Sequence, residues 1–159
     1  MSHDPLADAR FEIAQLRRLL DENSGLIADC LSRAPTRIEV LAMGTVLHAY
    51  YNGVENLLKR MSADGPIPLI DRSDSHRELL KRASTDRDGN RAIIDSALFA
   101  ALLPFLQFRH LYRHAYAFNL EWPKMRQLAA DAGATLDSLE QQALAYLERA
   151  RPADPPPSP

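Results

Sequence analysis

Ala97-Leu98-Phe99-Ala100-Ala101-Leu102-Leu103-Pro104-Phe105-Leu106-Gln107-Phe108 runs straight into Arg109-His110-Leu111-Tyr112-Arg113-His114-Ala115-Tyr116. The first twelve residues are almost wholly apolar. The next eight hold two arginines, two histidines and two tyrosines. An apolar run of this length reads as a buried helix, starting near Ile93 and carrying on through the polar cluster. Pro104 is expected to kink or break it. Polar groups are costly to bury, so so dense a cluster beside a core helix calls for a chemical reason. Arginine presents a rigid fork of donors that matches phosphate. Histidine exchanges protons near neutral pH. Together they suit binding or cleavage of a phosphodiester.

The rest of the chain also reads as helix. Asp4-Pro5 is an N-cap followed by a first-turn proline. One helix is expected from there to about Arg33, with Phe11, Ile13, Leu16, Leu19, Leu20, Ile27 and Leu31 on its apolar side. Ala34-Pro35 ends it. Thr36 and Glu39 form a capping box opening a second long helix to about Ser62. Asp64-Gly65-Pro66-Ile67-Pro68 is a turn, and a short helix runs from Ser75 to about Ala83. Asp86-Arg87-Asp88-Gly89-Asn90 is a polar loop. Trp122-Pro123 starts a further helix, which Gly133-Ala134-Thr135 is expected to interrupt, and a last one runs from Leu136 to about Arg149. No strand pattern emerges. The reading is all-α: an up-and-down bundle of four to five longer helices with a short inserted helix. Residues 1–150 form one domain. Residues 151–159, with five prolines from Pro152 to Pro159, read as a disordered, extended tail.

The 159 residues suffice for a sizeable core, and the net charge of −2 argues against non-specific coating of nucleic acid while leaving room for a local basic cleft. No apolar run approaches the ~20 residues of a membrane span. The N-terminus has no secretory pattern. The single Cys30 cannot staple the fold and reads as a small core residue in a reducing, cytoplasmic setting.

Arg109, His114 and Tyr116 fit the pattern Arg, four residues, His, one residue, Tyr. This resembles the signature of HepT-like toxins in the HEPN superfamily of all-helical ribonucleases. The stretch Tyr50-Tyr51-Asn52-Gly53-Val54-Glu55-Asn56-Leu57-Leu58-Lys59-Arg60 resembles the family's second long helix. Ser75-His76-Arg77-Glu78-Leu79-Leu80 resembles the short element after it. The resemblance covers roughly residues 6 to 148. It implies a metal-independent, cofactor-free endoribonuclease that works as a homodimer, and the toxin half of a toxin–antitoxin pair. His114 would be its acid–base group and Arg109 its phosphate binder. Tyr116 would be the residue that a partner nucleotidyltransferase antitoxin modifies with adenylate. The motif departs from the commonest pattern at Ala115, where glycine is frequent, and at His110, where a small polar residue is usual.

On a straight helix, residues five apart diverge by roughly 140°. Arg109 and His114 would then face different ways, whereas Arg109 and Tyr116, seven apart, would share a face. The arginine and histidine therefore meet one phosphate only if the helix distorts or a second subunit completes the site. Glu55, Asn52 and Asn56 interrupt the apolar pattern of the second helix. Glu55 is a candidate to orient Arg109, with solvated surface as the other explanation. His76 is a candidate for the cleft border and Arg113 for RNA contact. Arg77, Lys81, Arg82 and Arg87 make a basic patch that would guide phosphates or simply face water. His110 and His114 have the spacing of two metal ligands, and Asp71, Asp74 and His76 are the further donors in reach of such a reading, but no metal site is expected. His48, Tyr50 and Tyr51 read as core or edge residues, with Gly53 allowing close helix approach. Trp122 reads as a staple for the helix that Pro123 begins. The alternatives to a ribonuclease are a non-catalytic HEPN module presenting RNA or nucleotide to a partner nucleotidyltransferase, and a purely structural interaction protein. RNA cleavage in EDTA separates the first reading from both.

Overall fold

The computed structural model describes residues 4–61, 73–86, 89, 91–114, 116 and 119–150. Among these, six helices and no strands are found: α1 (Pro5–Glu22), α2 (Ser24–Ser32), α3 (Arg37–Met61), α4 (Ser73–Ala83), α5 (Ser96–His114) and α6 (Trp122–Ala150). The neighbour pairs α1–α3, α3–α5, α5–α6 and α6–α1 close a ring of four long helices. Short α4 lies on α3 and α5, and α2 lies on α3 and α6. The all-α bundle with a short inserted helix is what the sequence implies.

The caps that start the helices are those expected. Asp4 accepts from the Leu6 N–H at 3.0 Å, with Pro5 in the first turn. Thr36 and Glu39 cap each other at 3.2 and 2.9 Å. Glu39 also meets Arg33 at 2.8 Å, and together these donors pull its pKa down from 4.5 to about 2.

α3 is the axis of the core. Tyr50, Tyr51, Val54 and Leu57 are fully buried, and the Tyr50 hydroxyl donates to the Ala132 carbonyl of α6 at 2.8 Å. Gly53 lets α1 come close: a Cβ there would lie 2.6 Å from Leu16 Cδ2. Charged pairs fasten α1 at its flanks, among them Arg60 Nε to Glu12 at 2.8 Å and Arg17 to Asp137 at 2.6 Å. Cys30 is buried, and that burial raises its thiol pKa.

Five expectations need correction. The N-terminal helix is two helices, divided at Asn23. The Asn23 side chain donates back to the Leu19 carbonyl at 2.8 Å, closing off α1, and Ser24-Gly25 are weak helix formers that allow the break. Phe11 is 56 % exposed, because Ala9, Glu12, Ile13 and Leu16 define the inward face of α1. Of the two outcomes expected at Pro104, a break does not occur, since α5 continues through it. The proline sits on the exposed side, where water can take the carbonyl it leaves unbonded, while Leu102, Phe105 and Leu106 anchor both halves. α6 runs unbroken through Gly133, whose cost of ~1 kcal/mol is outweighed by the buried Ala129, Ala132, Leu136 and Leu139 around it. Finally, α5 ends at His114, so Tyr116 lies beyond the helix and shares no helical face with Arg109. Arg113 and His114 lie in its last turn, where the Arg113 cation suits the negative end of the helix dipole. The turn at 64–68, Asp71, Arg87 and the tail 151–159 lie outside the described residues, as does the side chain of Asp74.

Candidate functional site

A stripe of polar residues crosses the apolar face of α3. Thr45, His48, Asn52 and Glu55 recur at steps of three and four, which keeps them on one side of the helix. α5 answers with Arg109 and Tyr112, one turn apart. The two helices run antiparallel here, since Thr45 and His48 meet Tyr112 while Asn52 and Glu55 meet Arg109.

The deepest member is Glu55, with 3 % of its side chain exposed. One oxygen, Oε2, lies 2.5 Å from Nδ1 of His76 on α4, itself buried. The other, Oε1, lies 2.8 Å from Arg109 Nε. This second contact is an ion pair rather than a hydrogen bond: the Arg109 Nε–H points instead to Asn52 Oδ1 at 3.1 Å, and Oε1 has no hydrogen-bond partner. Three helices thus bring a histidine, a carboxylate and an arginine into one buried line. Burying a charge pair is expensive unless the geometry is good, so the apolar core gives no reason for it.

The network continues towards solvent. The Asn52 amide approaches His48 Nδ1 at 3.4 Å, and the His48 ring stacks on Tyr112 with centroids 4.6 Å apart. Burial, with Arg109 and Arg113 nearby, lowers the His48 pKa and favours its neutral ring. Gly44 makes room for this stack, since a Cβ there would lie 3.3 Å from the Tyr112 ring and 2.8 Å from Leu120 Cδ1. The Tyr112 hydroxyl ends the chain of contacts on Thr45, at 3.2 Å.

The expected site residues divide into two groups. Arg109, Glu55, Asn52 and His76 are gathered inside the bundle. His114 stands exposed at the end of α5, its ring 4.6 Å from that of His110, and Arg113 and Tyr116 are exposed as well. Arg109 and His114 therefore leave the helix in different directions. Asn56 is exposed, as is Arg77. Among the described residues, no three potential metal ligands cluster. No helix there is long and apolar enough to cross a membrane. An open groove between α5 and α6, lined by Ala97, Ala101, Pro104, Leu111 and Ala134, contains none of the network residues. Thr45, His48 and Tyr112 were not among the expected site residues. Their signal was the regular spacing of the polar stripe on α3, with an aromatic one turn past Arg109 to receive it.

The family model described as HepT-like protein matches residues 42–150, from the first turns of α3 to the end of α6. The chain belongs to the HepT-like family. Neither the comparison with curated proteins nor that with solved structures gives a match. The matched span of the HepT-like chain includes every member of the Glu55 network, while α1 and α2 lie before it.

Proposed function

We propose that this HepT-like protein is a metal-independent endoribonuclease, the toxin partner of a nucleotidyltransferase antitoxin. The observation that carries this reading is the Glu55–Arg109 pair on the inward face of the motif helix, with the His114 imidazole exposed five residues further on. Glu55 and Asn52 take the Nε side of the Arg109 guanidinium, which aims the Nη donors as the phosphate-binding edge. His114 exchanges the proton of the RNA 2′-hydroxyl or of the leaving 5′-oxygen. Arg109 stabilises the charge that develops on the phosphate. Because the two side chains diverge on one helix, the site is completed across a homodimer whose interface includes the end of α5. Exposed Leu111 supplies apolar surface there. Tyr116, 73 % exposed, offers its hydroxyl to the antitoxin for adenylation.

The test is cleavage of RNA in EDTA by the wild type and by His114→Ala and Arg109→Ala, with folding checked by circular dichroism. Each substitution should cost ~10²-fold or more. An active, pure His114→Ala protein would overturn the assignment. Binding of RNA without cleavage by the wild type would favour the non-catalytic module. Light scattering at tens of micromolar should give twice the chain mass.

A further inference from the structure

His76 lies on α4, outside the motif helix, and its ring reaches the carboxylate that meets Arg109. We propose that His76 is a positioning residue for Arg109, acting through Glu55; this rests on the proposed phosphate-binding role of Arg109. Glu55 has several rotatable bonds, and its side chain is buried with almost no solvent contact. An ion pair to Arg109 Nε alone would leave its carboxylate free to rotate about the last bond. The contact from His76 to Oε2 fixes the second oxygen and so fixes the plane of the group. Oε1 is then held 2.8 Å from Arg109 Nε, and Asn52 takes the Nε–H.

The two ring nitrogens of His76 have different surroundings. Nδ1 faces a carboxylate oxygen and must carry a proton to bond it. Nε2 is buried with no partner. A bare acceptor is tolerated in that position better than an unpaired N–H donor. The arrangement therefore calls for a proton on Nδ1, facing Oε2. His76 thus fixes the direction in which Glu55 meets Arg109.

The experiment compares His76→Leu with His76→Gln, whose amide can still donate to Glu55. Two readouts are independent of cleavage: the NMR signal of the Arg109 Nε–H, and affinity for an RNA oligonucleotide made non-cleavable by 2′-O-methylation at every sugar. His76→Leu should shift or broaden the Nε–H signal and weaken binding ~10-fold, the effect of losing one charge-assisted hydrogen bond. His76→Gln should recover most of both. In an Arg109→Ala background, His76→Leu should add nothing further to the loss of binding. An unchanged Nε–H signal and unchanged affinity in folded His76→Leu would overturn the proposal. So would a wild-type His76 ring protonated on Nε2 alone, read from its nitrogen shifts, a measurement that needs no variant to fold. Absence of ribonuclease activity in the wild type would sink the proposed function while leaving the Nε–H and ring-tautomer arms to decide this one.

Discussion

Removing Glu55 tests whether the bundle depends on the buried charge pair. In Glu55→Ala the Arg109 side chain, 12 % exposed, keeps Asn52 Oδ1 on its Nε–H but loses its counter-ion. His76 loses its partner at the same time, leaving both ring nitrogens buried and unbonded. Breaking a buried pair from one side costs about 3–5 kcal/mol. Arg109 keeps some access to water, which puts the expected loss near the lower end, about 3 kcal/mol. For a domain of this size each kcal/mol moves the midpoint by about 2–4 °C. Thermal unfolding followed by circular dichroism should therefore show a drop of roughly 10 °C. The cause is an orphaned charge, not a lost volume, and a double variant separates the two. Glu55→Leu with Arg109→Met replaces the pair by apolar groups, which is often close to neutral. The double variant should lose less stability than the sum of the singles, with a coupling of about 2 kcal/mol. A Glu55→Ala protein melting within ~2 °C of wild type, or single losses that simply add, would refute the reasoning.

Gly53→Ala should lower the melting temperature by a few degrees: alanine gains ~1 kcal/mol of helix propensity, but its Cβ meets buried Leu16 at 2.6 Å, and overpacking costs ~1–3 kcal/mol. Adding Leu16→Val should return part of the loss, and no recovery would point to another cause. Glu39 has a folded pKa of about 2, depressed from 4.5, so its contribution is complete above 4.5 and fades as pH falls towards 2. Glu39→Gln should remove this part of the acid sensitivity, so that the melting temperatures of the two proteins converge on acidification; a constant gap from pH 6 to pH 2 would contradict it. Tyr116→Phe should keep RNA cleavage yet escape adenylation and silencing by the partner nucleotidyltransferase, checked by intact mass, and an adenylate placed on Tyr112 instead would reassign the modified residue.

The fold was legible wherever a local rule agreed with burial. The Asp4-Pro5 start, the Thr36–Glu39 box and the apolar run into Arg109 each marked a helix, and each is one. The errors fell where a local signal opposed packing. Gly133 and Pro104 are helix breakers by propensity, yet both lie on exposed faces of helices whose other faces are deeply buried, so tertiary contact overrode them. Asn23 acted the other way. Apolar residues continue past it, but a side chain that bonds its own preceding turn closes the helix, a competition that periodicity does not register.

For the site, the decisive pattern lay in α3 as much as in the motif. A polar residue in an apolar helix is ambiguous when taken singly, since water or a partner would each satisfy it. Four of them on one stripe are less so, because that stripe must face another helix in a bundle, and buried polar atoms need partners. Arg109 and Tyr112 are the residues of α5 spaced to meet such a stripe, and they do meet it. His76 escaped this logic because it joins Glu55 from a third helix, across 21 positions of sequence that carry no spacing rule. The divergence of Arg109 and His114, by contrast, follows from helical geometry alone, and the fold keeps it: the arginine is tied inward by Glu55 while the histidine turns outward beside His110. Chemistry that needs both groups on one phosphate must therefore bring a second surface to the end of α5, and a second copy of the chain would supply the same arginine and the same histidine from the opposite side.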